Sequence, residues 1–460
     1  MMDELADRES HGSNQCRRLA LLITYHYPPS LESGALRPRG LSKYLPEFGW
    51  DVVVLTTAMP GHRPGRVLQS DSRDLVAEWK RRFNFHPHRA LREQLPLNGS
   101  APTRKTARIL MNSGIIPTLR WFLTYPDPLK GWAPFAIAAV EQLRRERFDA
   151  IISTAPPLSC HMIGAEVKKK LTCPWIADYR DLWNTNLDTL EDRKGLIGAI
   201  QRHTERKVLA GCDALVTVSE PWAHQLSRRY PTKTICAITN GFDPDELAPP
   251  EHKLSSKFSI THTGFLYLSK RDPTPVFESL RELIDAGEIQ HSDLLLRFYG
   301  NNGALLPQLV ERFRLSGVTE MSAAVPREEA LRLQRESQLL LILSWSGSRE
   351  NGGHTGKVFE YLASRRPILA SGGARGVLSD LLEQTNAGVH VFSKDEMRRT
   401  LLQAYREYKL QGRVAYRGND RAIHLYSHRN MAQRFAKLLD SVAPRIGAEP
   451  HQGFRVPTEC

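Results

Sequence analysis

Twice along this chain, short runs of apolar residues bounded by turn signals alternate with amphipathic helical stretches, and few folds accommodate that pattern. The first series begins at Arg18 with LALLIT and continues with DVVVLTT after Gly49-Trp50. Further strands are expected at 149–154, 174–178, 214–218 and 234–238. A polar, proline-rich stretch at 244–257, PDELAPPEHKLSSK, interrupts the rhythm as linkers do. The series then restarts, with strands expected at 258–263, 294–299, 320–324, 339–344 and 367–370. Strands that are apolar at successive positions, with helices between them, are buried on both faces and run parallel. The expected fold is therefore α/β, with two doubly wound Rossmann-like domains facing across a cleft. At 460 residues the chain is too long for one ordinary core, which suits two. The expected division is 1–17 disordered, 18–243 as the first domain, 244–257 as linker and 258–418 as the second domain. A helix over 419–443 is expected to cross back onto the first domain, and 444–460 to be a disordered tail.

Composition narrows the class. Apolar residues at 41% and charged residues at 25% describe a globular protein rather than a disordered or fibrous one. The six cysteines, Cys16, Cys160, Cys173, Cys212, Cys236 and Cys460, form no C-x-x-C pair, which argues against a zinc site and for a reducing compartment. The opening MMDELADRESHGSNQ is polar and acidic, unlike a signal or transit peptide, and no apolar run approaches membrane-spanning length. A cytoplasmic protein is expected. The net charge of +13 is unevenly placed, because residues 61–130 carry 13 Lys/Arg against 5 Asp/Glu. There Lys80-Arg81-Arg82, Arg104-Lys105 and Arg108 are interleaved with Trp79, Phe83, Phe85, Trp121 and Phe122. This insertion, 60–130, fits a phosphate-rich acceptor, peripheral contact with an anionic membrane or a nucleic-acid groove, and equally an insertion covering a small core of its own.

The densest cluster of chemistry runs from Glu350 to Gly373. Gly352, Gly353 and Gly356 surround His354 and Thr355 and lead into a helix on which Lys357 and Glu360, three apart, share a face. Arg366-Pro367 ends the helix, and a buried strand follows. A glycine-rich loop, a capped helix and a strand aim backbone N–H groups at an anion. A nucleoside-triphosphate loop is excluded, since Asn351 and Val358 stand where Gly and Ser/Thr would be required. A plain connection with a solvated Lys and Glu is the bland alternative. Ser33-Gly34, between the first strand and helix, is a second anion contact or a simple turn. Asp178, Arg180 and Asp181 end a strand at the carboxyl edge where ligands bind in such sheets, and they could also satisfy one another as an ion-pair network.

With these residues in order, the chain resembles the retaining GT-B glycosyltransferases that include glycogen- and sucrose-synthase-like enzymes. The resemblance covers about 18–440. It rests on the Ser33-Gly34 loop, the Asn240-Gly241-Phe242-Asp243 hinge, the Gly264 loop ending in Lys270-Arg271, and Gly356-Lys-Val-Phe-Glu360-Tyr-Leu-Ala363 followed by Arg-Pro-Ile. Ser153-Thr-Ala-Pro-Pro with Asp178-Tyr-Arg-Asp-Leu-Trp183 looks like a bacterial subgroup of surface-polysaccharide assembly.

The resemblance implies transfer of a sugar, with retained configuration, from a nucleotide-diphosphate donor to a glycan or lipid-linked acceptor, without a metal or other cofactor. Arg271, with Lys270 beside it, would lie on the donor diphosphate. Glu360 would bind the ribose diol, Gly352–Lys357 (with Gly353, His354, Thr355 and Gly356) would hold sugar and phosphates, and Gly34 would reach the diphosphate from the first domain. Asn240 and Gly264 would complete the donor site. Asp178 and His161 are catalytic candidates, and Arg180 and Asp181 would face the acceptor. Three departures stand out. Gly352 replaces the first of two acids eight apart, Phe265 replaces an arginine after the loop glycine, and the histidine expected near Thr154 is missing, which leaves His161 as the nearest substitute. An epimerase on the same scaffold, a silent nucleotide-sugar binder and a nucleic-acid binder are rivals; the last predicts salt-steep binding through 61–130 and leaves the diphosphate constellation without purpose.

Overall fold

The computed structural model describes residues 17–30, 32–61, 65–82, 86, 124–183, 196–249, 253–266, 271–300, 305–344 and 352–444. The expectations for 1–16, for most of the 60–130 insertion, for Lys270 and for the tail from 445 lie outside the described residues.

Two all-parallel sheets organise the chain. The first contains β1 (Arg18–Ile23), β2 (Trp50–Thr57), β3 (Arg66–Ser70), β4 (Ala150–Ala155), β5 (Trp175–Tyr179), β6 (Ala214–Thr217) and β7 (Thr234–Ala237), in the order β3-β2-β1-β4-β5-β6-β7. The second contains β8 (Phe258–Thr263), β9 (Leu294–Tyr299), β10 (Thr319–Ser322), β11 (Leu339–Leu343), β12 (Ile368–Ser371) and β13 (Gly388–Val391), in the order β10-β9-β8-β11-β12-β13. In each sheet the winding reverses once, between β1 and β4 and between β8 and β11. The reversal opens a crevice at the carboxyl ends of those strands, because the flanking loops diverge to opposite faces.

The central strands are buried along their length because helices cover both faces of each sheet. Along β1 and β2, Leu21, Ile23, Val53 and Leu55 enter one core with Trp132, Ile163 and Trp175. Their neighbours Ala20, Leu22, Val52 and Val54 enter the opposite core with Leu41, Tyr44 and Phe435. Period-two alternation thus sends successive residues of these two strands into opposite interiors. In the second sheet, Phe258, Ile260, Leu296 and Phe298 pack against Val276, Phe277 and Leu280 on one side, and Leu340, Ile342 and Ala370 pack against Val358, Tyr361 and Leu362 on the other.

Four local readings need correction. β3 and the helix Leu75–Arg82 lie within the 60–130 insertion, where the sequence reading assigned no element. β3 is an edge strand, half-exposed and without an apolar run, so its pairing with β2 carries its structure. The sequence pattern predicts one helix over 133–147, but the helix ends at Ala139 and tightens into a 3-10 turn, Val140–Leu143. The strand read at 320–324 is β10, shifted to Thr319–Ser322 at the exposed sheet edge. The last helix is two, Asp420–His424 and His428–Val442. Between them, Tyr426 O accepts from Phe242 N at 3.0 Å and His428 N donates to Phe242 O at 2.7 Å, so the chain extends to pair with the hinge at 240–243. Ser427 then caps the following helix by accepting from Asn430 N. That helix lays Met431, Ala432, Phe435 and Leu439 onto the first sheet's core.

Candidate functional site

The second sheet's switch point brings three glycine-rich or cationic segments together. Gly264 follows β8 with φ of 108°, a left-handed conformation that favours glycine. A Cβ there would also stand 2.2 Å from Lys357 Cε, so the Lys357 stem crosses the glycine's open face. Lys357 Nζ reaches Phe265 O at 3.5 Å, and Arg271 Nη1 reaches the same carbonyl at 3.2 Å. Two cations therefore converge on one backbone oxygen. Burial, reinforced by the Arg271 guanidinium, drives the Lys357 amine down to about 7. Glu360, the carboxylate on the same helix that opposes this fall, is committed elsewhere. Its Oε1 accepts from Arg327 Nη1 and its Oε2 from Gln334 Nε2 at 3.4 Å. Arg327 in turn donates Nη2 to Glu246 of the hinge at 2.6 Å. An incoming anion would relieve the repulsion between Lys357 and Arg271.

Around this pair the chain builds a pocket. A small cleft, partly open to solvent, is lined by Arg271, Ser344, Gly353, Thr355, Gly373 and His390, among others. The helix Gly356–Ala363 begins beside it, with Thr355 in the cap position and no side-chain cap bond. Val358 N closes onto Thr355 O at 3.1 Å, which leaves the Gly356 and Lys357 N–H groups of the first turn to a ligand. His354 packs edge-on against Phe359, and burial holds its pKa near 4, so the ring is neutral. His390 bonds Ser379 Oγ at 2.9 Å and Gly372 O at 2.8 Å, which fixes its ring at the pocket wall.

The first domain meets this site at its own carboxyl edge. Arg180 spans the crevice between β1 and β4, donating Nη1 to Gly34 O, Nη2 to Pro156 O and Nε to Ala155 O at 3.3 Å. Gly34 is thus held at the switch point. Asp181 beside it is exposed. Ser219, at the end of β6, donates its hydroxyl to Gly352 O across the cleft, and Trp222 lies against Gly352 and Gly353.

Three expected site residues are placed elsewhere. Asp178 is fully buried and accepts from Arg37 Nε at 2.9 Å and Nη2 at 2.8 Å, with Thr154 Oγ1 a third donor at 2.7 Å. Both oxygens are consumed in a structural ion pair, so the catalytic expectation for Asp178 is corrected. Asn240, half-buried, accepts from the same arginine through Oδ1 at 3.2 Å, together with Thr239 O and Ile238 O, so its carbonyl side is tied to this ion pair. His161 is fully buried, bonds Ser153 Oγ through Nδ1 at 2.8 Å, and is driven by burial to about 3. It has no surface to offer a substrate. Lys270 lies outside the described residues.

The sequence reading missed Arg37, Arg327, Trp222 and His390. Arg327 opens an unremarkable charged helix, REEALRLQR, and nothing local singles it out. A signal did exist for Trp222, since Ser219-Glu220-Pro221-Trp222 places an aromatic one turn after a serine cap at the carboxyl end of a strand.

The comparisons agree with this fold. Residues 39–246 match the model for Glycosyltransferase Family 4. Among curated proteins, none matches the chain. Sucrose-phosphate synthase from Thermosynechococcus elongatus superposes with a TM-score of 0.59 at 15% identity, over 92% of this chain and 99% of that one. WaaG, a glycosyltransferase involved in lipopolysaccharide biosynthesis, gives 0.54 at 12% identity over 93% and 100%. HepE from Anabaena, in complex with UDP and glucose, gives 0.56 at 13% over 92% and 100%. At these identities the likeness establishes architecture. The chain has the two-domain GT-B fold, and its residues 39–246 match a glycosyltransferase family 4 domain.

Proposed function

We propose that the protein is a retaining glycosyltransferase that moves a sugar from a nucleotide-diphosphate donor to a glycan or lipid-linked acceptor in surface-polysaccharide assembly. The observation that carries the reading is the convergence of Lys357 and Arg271 on Phe265 O beside Gly264, at the switch point of the second sheet. Two cations and a helix N-terminus suit a leaving group that gains negative charge as the glycosidic bond breaks. The HepE structures with UDP and glucose, UDP, and UDP-glucose support a nucleotide sugar as the ligand class.

In this mechanism the bond from the sugar's anomeric carbon to the diphosphate breaks, and the acceptor oxygen bonds to that carbon on the same face. The departing diphosphate oxygen takes the acceptor's proton, so no protein base is required and the burial of Asp178 and His161 is no obstacle. Lys357 and Arg271 hold the released charge, and no metal is invoked. Glu360 binds the ribose diol once Arg327 shares it, and Gly34 approaches the diphosphate from the first domain. The acceptor enters past Arg180 and Asp181 in the cytoplasm, with the basic segment 61–130 in peripheral contact with an anionic membrane.

The test is a thermal-shift panel of UDP, GDP, dTDP and ADP and their sugars on wild type and Glu360→Ala. One nucleotide is expected to stabilise the wild type and to lose its effect in the variant. Turnover of that sugar nucleotide should require an added acceptor. Product from donor alone would replace transfer with isomerisation, and no shift with any nucleotide would remove the donor reading.

A further inference from the structure

The glycine loop of the second domain is held by the first. A Cβ on Gly352 would stand 2.3 Å from both Cδ1 and Nε1 of Trp222, and one on Gly353 would stand 2.9 Å from Cζ2 and Cη2 of the same ring. The indole therefore lies along two successive residues, in space that any side chain would need. Ser219, three residues earlier, joins the contact twice. Its hydroxyl proton goes to Gly352 O, and its oxygen accepts from Trp222 N at 3.4 Å while capping the helix Glu220–Arg229. Ser219 is buried and Trp222 half-buried, with the ring's other side packed on the first domain's core.

What this loop carries gives the contact its meaning. Gly353 and Thr355 line the cavity that also holds Arg271, and one turn later the same segment presents Lys357 and Glu360. A loop with two consecutive glycines has few internal restraints, and its conformation depends on what it packs against. Here the packing partner belongs to the other domain. We propose that Ser219 and Trp222 are positioning residues that clasp the Gly352–Gly353 loop and so complete the site for the nucleoside diphosphate only when the two domains are closed. The inference rests on the donor reading above and adds the device that makes donor binding and domain closure one equilibrium.

The experiment uses the full chain as wild type, Trp222→Ala, Gly352→Ala and the double variant. Small-angle scattering without ligand reads domain separation, and calorimetry with UDP, GDP, dTDP and ADP reads the site. Each single variant is expected to enlarge the radius of gyration and to weaken the bound nucleotide about tenfold, a common size for coupling between packed neighbours. In the double variant the space left by the indole admits the new methyl group, so Gly352→Ala should add little to Trp222→Ala. Unchanged scattering and affinity in Trp222→Ala, or full additivity of the two defects, would overturn the clasp. Ser219→Ala leaves the ring in place and should move both readouts in the same direction by less, which covers a Trp222→Ala that does not fold. If the wild type binds none of the four nucleotides, the donor reading fails, while scattering and the additivity of urea midpoints still decide the clasp.

Discussion

Raising the pH from 7 to 8.5 should loosen donor binding through one amine. Lys357 titrates at about 7 instead of 10.5 because burial and Arg271 disfavour its charge. A diphosphate reverses that balance, since an anion beside both cations favours the charged ammonium. Below pH 7 the amine is already protonated and binding needs no proton. Above pH 7 each bound nucleotide must first recharge Lys357, at a cost that approaches about 1.4 kcal/mol for each pH unit, so affinity should fall about fivefold from pH 7 to pH 8 and more steeply beyond. Close to one proton should be taken up per nucleotide at pH 8. Calorimetry of a nucleotide sugar in buffers of differing ionisation enthalpy measures both quantities, and a nucleotide sugar has no phosphate proton titrating in this range. Lys357→Met should bind more weakly at pH 7 and lose the pH slope. Affinity that stays flat from pH 7 to 8.5 in the wild type, without proton uptake, would refute the placement of Lys357 on the diphosphate. In the absence of ligand the same amine works against the fold: the unfolded chain binds the extra proton between about 7 and 10.5, so Lys357's contribution to stability improves as pH rises through that window.

Two further substitutions separate scaffold from chemistry. Asp178→Asn removes the charge that neutralises a buried arginine and should cost about 3 kcal/mol or more in urea unfolding; full stability with turnover abolished would return Asp178 to the chemistry. Arg327→Ala leaves Glu360 and Glu246 without their shared partner and should lower stability by about 2 kcal/mol, read from the urea midpoint, while weakening nucleotide binding. Unchanged values on both counts would mean that Arg327 does not position Glu360.

Much of the architecture could be read locally. Strands such as Trp50–Thr57 and Leu339–Leu343 are largely apolar because both of their faces are covered, and the glycines and prolines between strands and helices mark their ends. β3 could not be read that way, since RVLQS acquires its structure from its neighbour β2. The same limit applies within the site. Lys357 and Glu360 share a helix face by spacing alone, but Arg327, which holds Glu360, lies 33 residues away on another helix. Asp178, Arg180 and Asp181 are adjacent in sequence, yet Asp178 enters the interior, Arg180 spans the crevice and Asp181 faces solvent. Asp178 lies within the strand Trp175–Tyr179, whereas Arg180 and Asp181 follow its end, so the path of the chain after the strand decides where their side chains go.

By itself the sequence determined the two series of strands and helices, the glycines that let backbones approach, and the cations and carboxylates set at their ends. These depend on periodicity and backbone freedom within a few residues. Tertiary structure decided which charges meet. It turned Asp178 and Asn240 into partners of Arg37, brought Lys357 and Arg271 to the Phe265 carbonyl, and laid Trp222 of one domain against Gly352 of the other. Those pairings join residues far apart along the chain, so their energies depend on burial and on approach between elements, and neither quantity exists until both sheets have formed.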